Sequence, residues 1–185
     1  KANKKKLRYH QTTFGGSIHT DGPQLKKPPT YVIMACVNAS KYGGESVLVD
    51  SQKLFTFLKK KYPKILTTLK SNFYFERRGF YNSNSGKRVL KKPIFEKIGK
   101  TYCFRYLRDY IESGFEKVNK KISRNQNKAL NLLDSLLTNK RFQTIFKLSK
   151  GDILILNNNF IAHGRKGFFL NKKKQSTLLR SWIAR

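Results

Sequence analysis

The feature that most constrains this chain is the placement of its strand-like apolar runs at two distant stretches of sequence. Residues 31–37 (YVIMACV) and 45–49 (ESVLV) form one set; residues 153–156 (ILIL) and 177–184 (TLLRSWIA) form the other. The first run is almost continuously apolar between Pro28-Pro29 and the Lys41-Tyr42-Gly43-Gly44 turn, which suits a fully buried strand. The second alternates, as a half-buried strand does. A strand satisfies its backbone polar groups only by pairing, so the two sets are predicted to pair with each other across what separates them. The expected class is therefore α+β, mainly β, with an insert between the two strand sets.

That insert, residues 51–145, reads as largely helical and as a lid within one domain spanning residues 1–185. Leu54, Phe55, Leu58, Tyr62, Ile65, Leu66 and Leu69 recur at helical spacing, and Pro63 divides this stretch into two helices or kinks it. Residues 73–75 and 89–94 look like strand pieces around an Asn/Ser/Gly-rich loop at 81–86. Residues 102–111 (YCFRYLRDYI) fit a strand or a helix equally. The strongest helix is 122–142, with Ala129, Leu132, Leu133, Leu136 and Leu137 on one face. Beyond it, 146–148 suits a strand and Lys150-Gly151-Asp152 a turn. Residues 1–8 are expected to be a basic arm.

Forty Lys and Arg face ten Asp and Glu, a net charge of +30. Such a field attracts polyanions, so a nucleic-acid partner is one reading. The lysines are scattered in pairs and triplets (Lys4-Lys5-Lys6, Lys59-Lys60-Lys61, Lys172-Lys173-Lys174) and asparagine is abundant, which favours the composition of an AT-rich coding sequence. Cys36 and Cys103 sit in apolar surroundings without metal or redox spacing, as buried thiols of a reducing, intracellular (cytoplasmic) protein do. No segment approaches the 18 apolar residues of a membrane span, so no membrane association is expected.

With ten acidic residues and three histidines, potential metal ligands are few. His19-Thr20-Asp21 places an imidazole and a carboxylate two residues apart, on one face if the backbone is extended. His163 follows a buried strand and precedes Gly164, where the chain can turn and present a ring. Two histidines and one carboxylate make a facial triad that suits Fe(II) and leaves positions open for other ligands. An H-x-D alone is equally compatible with a loop aspartate capping a turn beside a histidine satisfied by backbone.

The combination of motifs is more specific. His19-Thr20-Asp21-Gly22, Pro28-Pro29, Gly43-Gly44-Glu45-Ser46, His163-Gly164-Arg165 and residues 178–183 (LLRSWI) resemble, in order and separation, the Fe(II)/2-oxoglutarate dioxygenases related to taurine dioxygenase, γ-butyrobetaine hydroxylase and clavaminate synthase. The resemblance implies a double-stranded β-helix (jelly-roll) core with the insert covering its mouth, and iron, 2-oxoglutarate and dioxygen as the chemical requirements. It implies His19, Asp21 and His163 as iron ligands and Ser46 as the hydroxyl that meets the distal carboxylate of 2-oxoglutarate. Relatives commonly carry R-x-L-x-R on the last strand, the first arginine being the salt-bridge anchor for that carboxylate. This chain has Ser176 at the first place and Arg180 at the second, so Arg180 is the expected anchor, with Lys174 an alternative and weakened co-substrate binding a third outcome. Gln24, Asn159 and Arg165 are candidates for lining the site. Relatives also carry substantial sequence ahead of the H-x-D, so an abridged core or a piece of a longer protein is implied.

The implied reaction is hydroxylation of an unactivated C–H in a small polar metabolite, an amino acid or betaine-like compound, releasing succinate and CO2. A carboxylate at position 21, rather than Gly or Ala, points away from halogenation. Two rivals remain: the same chemistry on nucleic acid or protein, and a catalytically inactive jelly-roll binding module. Arg77-Arg78 and residues 105–110 (RYLRDY) offer contacts from the insert to a substrate carboxylate or aromatic group, with solvated or ion-paired surface the preferred reading; His10 is expected to be structural and Trp182 core. Arg165 is a candidate partner for Asp50 or Asp152.

Overall fold

A computed structural model describes residues 16–79, 88–167 and 176–184. The basic arm at 1–8, His10, the loop at 81–86 and Lys172-Lys173-Lys174 lie outside the described residues. Two three-stranded antiparallel sheets are built from strands far apart in sequence. In the first, β1 (Tyr31–Asn38) lies between β8 (Ile153–Asn157) and β10 (Thr177–Ile183). In the second, β2 (Ser46–Asp50) lies between β7 (Gln143–Phe146) and β9 (Ile161–Arg165). Each sheet thus joins one early strand to two late ones, the pairing predicted from the sequence.

The insert is less helical than expected. It holds α1 (Ser51–Lys61), α2 (Pro63–Leu69), α3 (Arg108–Lys117) and α4 (Arg124–Thr138), but also two hairpins: β3 (Asn72–Glu76) with β4 (Val89–Pro93), and β5 (Phe95–Ile98) with β6 (Thr101–Phe104). Residues 102–111, ambiguous by pattern, are both things in turn: β6 ends at Phe104 and α3 begins at Arg108. The helix expected over 122–142 stops at Thr138, and β7 starts earlier than the pattern suggested, at Gln143.

Local chemistry sets the helix ends. Asp50 caps α1 by accepting from Gln52 N at 2.8 Å and Lys53 N at 3.3 Å. Pro63 opens α2, where its missing N–H leaves no helical bond unmade. Ser123 and Gln126 form a reciprocal capping box on α4. Leu54 and Leu58 of α1, Leu66 and Leu69 of α2, and Ala129, Leu130, Leu133 and Leu137 of α4 close on Phe73 and Phe75 of β3, forming the main hydrophobic core. Val49 and Ala162, cross-strand partners on β2 and β9, add the second sheet to that core.

Helix α3 lies directly on β3. A Cβ at Gly114 would sit 2.2 Å from the carbonyl oxygen of Tyr74, so only glycine permits this approach. Gly114→Ala is expected to destabilise the protein by about 1–3 kcal/mol or more, the usual scale of overpacking, read from a urea unfolding curve.

The first sheet has two unlike faces. Leu179, Ile153 and Ile155 all lie on one face and are exposed, an apolar surface of the kind that ordinarily packs against another layer. Its other face carries Val32, Cys36 and Leu156, which are buried, together with Arg180 and Trp182, which point toward the second sheet. Among the described residues no helix is long and apolar enough to cross a membrane.

Candidate metal centre

His19 and His163 meet because they are directly opposed across an antiparallel bridge. The His19 N–H donates to the His163 carbonyl at 2.9 Å, and the His163 N–H donates to the His19 carbonyl at 2.8 Å. Side chains of such a pair emerge on the same side, and the two ring centroids are 4.8 Å apart. The expected position of His163 after a strand is refined: it lies within β9, two residues before its end.

Asp21 follows at i+2 and joins them. One atom from each of His19, Asp21 and His163 falls within 4.8 Å of the others, and all three residues are buried. His19 Nε2 lies 3.5 Å from Asp21 Oδ1, and His163 Nε2 lies 3.8 Å from Asp21 Oδ2. Thr20, between them, makes a different set of bonds. Its N–H donates to the Tyr106 carbonyl at 2.9 Å and its Oγ1 accepts from the Tyr106 N–H at 3.0 Å.

Two further residues pin this segment, and the sequence had not marked either for that role. Asn158, not the neighbouring Asn159, grips Asp21: its Oδ1 accepts from the Asp21 N–H at 2.8 Å, while its Nδ2 donates to the carbonyls of Asp21 and Pro29. Asn159 instead presents its carbonyl to the Phe104 N–H, tying β6 to the loop before β9. Arg105, expected at the surface, is buried. It donates to the carbonyls of Pro23 and Leu25 and lies 3.6 Å from Glu96. Gln24 is buried beside it, with its Oε1 lacking a partner among the described residues.

The electrostatics favour metal-ready protonation states. Burial alone would raise the Asp21 pKa; the His19 hydrogen bond and the charges of His163, Arg180 and His19 outweigh it and hold it at about 2. Burial, then the neighbouring His19 and Arg180, push His163 down to about 3 against opposing effects of Asp21 and the Ile161 backbone. At neutral pH the centre therefore presents a carboxylate and a neutral His163 imidazole. His19 Nδ1 sits 2.8 Å from the Ser17 carbonyl, which fixes the ring's orientation and turns Nε2 toward Asp21. His163 Nε2 is buried with no hydrogen-bond partner among the described residues. An orphaned imidazole nitrogen aimed at a carboxylate is what a transition-metal ion would satisfy.

Around this cluster, Arg180 Nη1 donates to Asp21 Oδ1 at 2.8 Å and the Trp182 indole N–H donates to Asp21 Oδ2 at 2.8 Å. Trp182 is thus no core residue: it is 40% exposed and holds the carboxylate by its one donor. Arg180, the expected co-substrate anchor, lies on Asp21 in this structure. Ser46 is buried on β2, opposite Arg165 of β9. Arg165, a candidate partner for Asp50 or Asp152, turns to the Gly43-Gly44 turn and to position 176. Its Nε donates to the Gly44 carbonyl at 3.1 Å and its Nη2 to Ser176 Oγ at 2.6 Å.

Residues 1–182 match the family described as "Taurine catabolism dioxygenase TauD, TfdA family". The chain belongs to the TauD/TfdA family. Within it, the chain is 23% identical over 186 residues to FR-33289 synthase of Streptomyces rubellomurinus, covering 98% of this chain and 53% of that protein. It is 26% identical over 163 residues to human gamma-butyrobetaine dioxygenase, covering 85% of this chain and 41% of that protein. The chain therefore spans about half the length of these TauD/TfdA relatives or less. Its fold resembles that of an asparagine oxygenase solved with Fe(II), 3-hydroxyasparagine and succinate (TM-score 0.74, 13% identity, 94% of this chain and 51% of that one). It also resembles the non-heme iron oxygenase OrfP solved with Fe and alpha-ketoglutaric acid (TM-score 0.64, 15% identity, 90% of this chain and 48% of that one).

Proposed function

We propose that His19, Asp21 and His163 bind Fe(II), that 2-oxoglutarate is the co-substrate, and that the protein hydroxylates an unactivated C–H of a small polar metabolite. The observation that carries this reading is the convergence of His19, Asp21 and the orphaned His163 Nε2 between the two sheets. We read those sheets as the two walls of a double-stranded β-helix. Iron, 2-oxoglutarate and dioxygen together supply the oxidising power, with succinate and CO2 as by-products. The chain's own residues hold the donors in place. The His19–His163 bridge fixes the ring separation, Asn158 fixes the backbone of Asp21, and Arg180 with Trp182 orients its carboxylate. Second donors of this kind both aim a ligand and tune it. Ser46, buried on the same sheet face as His163, offers a hydroxyl to the distal carboxylate of the co-substrate.

The relatives support an amino acid or betaine-like substrate. One fold neighbour was solved with 3-hydroxyasparagine, OrfP was solved with (3S)-hydroxy-L-Arg, and the human relative is named for γ-butyrobetaine. Anaerobic addition of Fe(II) and then 2-oxoglutarate should produce the weak visible charge-transfer band of a metal-bound 2-oxo acid. A panel of amino acids and betaines should then accelerate succinate release in air. Absence of the band would reduce the chain to a binding module without redox chemistry.

A further inference from the structure

The departure at position 176 raises the question of which cation meets the distal carboxylate of the co-substrate. Four observations converge on one side chain outside the last strand.

The first is register. On the paired strands β2 and β9, Ser46 faces Arg165 and Leu48 faces His163. Opposed residues share a side and alternate residues share a face, so Ser46, His163 and Arg165 all project to the site side of the sheet. Arg165 is displaced from His163 by two strand residues, about 6.6 Å along the strand. A five-carbon diacid that chelates through C1 and C2 carries its C5 carboxylate away from the metal over a comparable span.

The second is the Gly43-Gly44 turn. Both glycines have left-handed φ, 69° and 75°. A Cβ on Gly44 would lie 2.9 Å from Nη2 and 3.3 Å from Nε of Arg165. The bare backbone leaves room for the guanidinium, and the Gly44 carbonyl takes its Nε hydrogen at 3.1 Å. The Gly-Gly-acid-Ser motif thus cradles Arg165 as well as delivering Ser46.

The third is what Arg165 touches. Its Nη2 donates to Ser176 Oγ at 2.6 Å, and the Ser176 hydroxyl in turn donates to the Asn38 carbonyl. The guanidinium therefore lies against the very position whose expected arginine is missing. A second cation at 176 would face Arg165 at hydrogen-bond distance, so a serine there and an arginine at 165 form a compatible pair. The fourth is Arg180, whose guanidinium is held on Asp21 and whose side chain is 33% exposed.

We propose that Arg165 supplies the guanidinium that binds the distal carboxylate of the 2-oxo diacid, beside Ser46, in place of an arginine at position 176. The proposal rests on the iron and 2-oxoglutarate reading above. It assigns Arg180 a positioning role on Asp21. A fork of N–H donors suits a carboxylate better than an ammonium would, so Arg165→Lys should recover only part of the affinity.

The test separates the distal carboxylate from everything else in the site. Anaerobic Fe(II) protein is titrated with 2-oxoglutarate and with 2-oxovalerate, which has the same chelating end and no second carboxylate. Binding is read by the visible band and by the rise in unfolding temperature. Arg165→Gln should weaken 2-oxoglutarate about 10- to 100-fold, the scale of a charge-assisted hydrogen-bond set, and leave 2-oxovalerate unchanged. The double variant Arg165→Gln/Ser176→Arg should regain selectivity for the diacid. Equal weakening of both acids by Arg165→Gln would reveal a purely structural role and overturn the proposal. Selective loss of 2-oxoglutarate in Arg180→Gln but not in Arg165→Gln would overturn it in favour of the last strand. Fe(II) binding is followed separately through the emission of Trp182, the chain's single tryptophan. If iron binds but the wild type does not prefer the diacid, the metal reading stands and the Arg165 assignment falls. If iron does not bind, both fall.

Discussion

Asp21→Ala is expected to lower Fe(II) affinity by more than about 100-fold, since changes to residues merely supporting a metal ligand already cost 10- to 100-fold. The effect should exceed simple loss of one donor. The same carboxylate accepts from Arg180 and Trp182, and removing it leaves the Arg180 cation beside the two imidazoles with no compensating charge. His163→Ala should fall in the same range, because His163 contributes a nitrogen with no other bonding duty among the described residues. Equilibrium dialysis against Fe(II) under anaerobic conditions, with bound iron measured directly, checks both, because it does not depend on the carboxylate on which the Trp182 indole N–H rests. Asp21→Asn separates charge from shape: it should keep the fold but still bind iron poorly. Unchanged iron affinity in Asp21→Ala and His163→Ala would remove the basis of the proposed function.

Acid should destabilise the metal-free protein well before ordinary carboxylates titrate. His163 has a folded pKa of about 3 against an ordinary 6.5, because burial and the adjacent His19 disfavour its cation. Between those values the unfolded chain binds a proton at this residue that the folded protein refuses. Stability therefore falls as pH drops through 6.5 and stops falling from this source near 3. Asp21, held at about 2 against 3.8, acts lower: its contribution is present above 3.8 and is lost as pH falls toward 2. The expected loss is several kcal/mol, read from urea unfolding in the presence of a chelator between neutral pH and about pH 4. His163→Gln should flatten the upper part of that profile. Bound Fe(II) should steepen it, because protons compete with metal for the same atoms.

Much of this architecture was legible because the signals are local. Strand-type runs at 31–37, 45–49, 153–156 and 177–184 became β1, β2, β8 and β10, and Pro63 divided the first helical stretch as its chemistry requires. The strand pieces at 73–75 and 89–94 became the β3–β4 hairpin, but the second hairpin was less visible: β5 is four residues long and carries Glu96 and Lys97, so no apolar period announced it. Trp182 and Arg105 were misjudged for one shared reason. Whether an indole or a guanidinium lies at a surface depends on what distant chain covers it, and Arg105 is covered by residues about 80 positions away.

By itself the sequence determined the donor chemistry: two imidazoles and a carboxylate, a Gly-Gly turn before a serine, and a serine at the place where the family resemblance implies an arginine. Only the tertiary structure decided how these meet. It set His19 directly opposite His163, placed Asn158 on Asp21, turned Arg180 and Trp182 onto the same carboxylate, and laid Arg165 against Ser176. The reason is physical. Residue types and periods are fixed along the chain, but cross-strand register between segments more than 100 residues apart arises only when the sheets pair, and one residue of slip would send every one of these side chains to the opposite face.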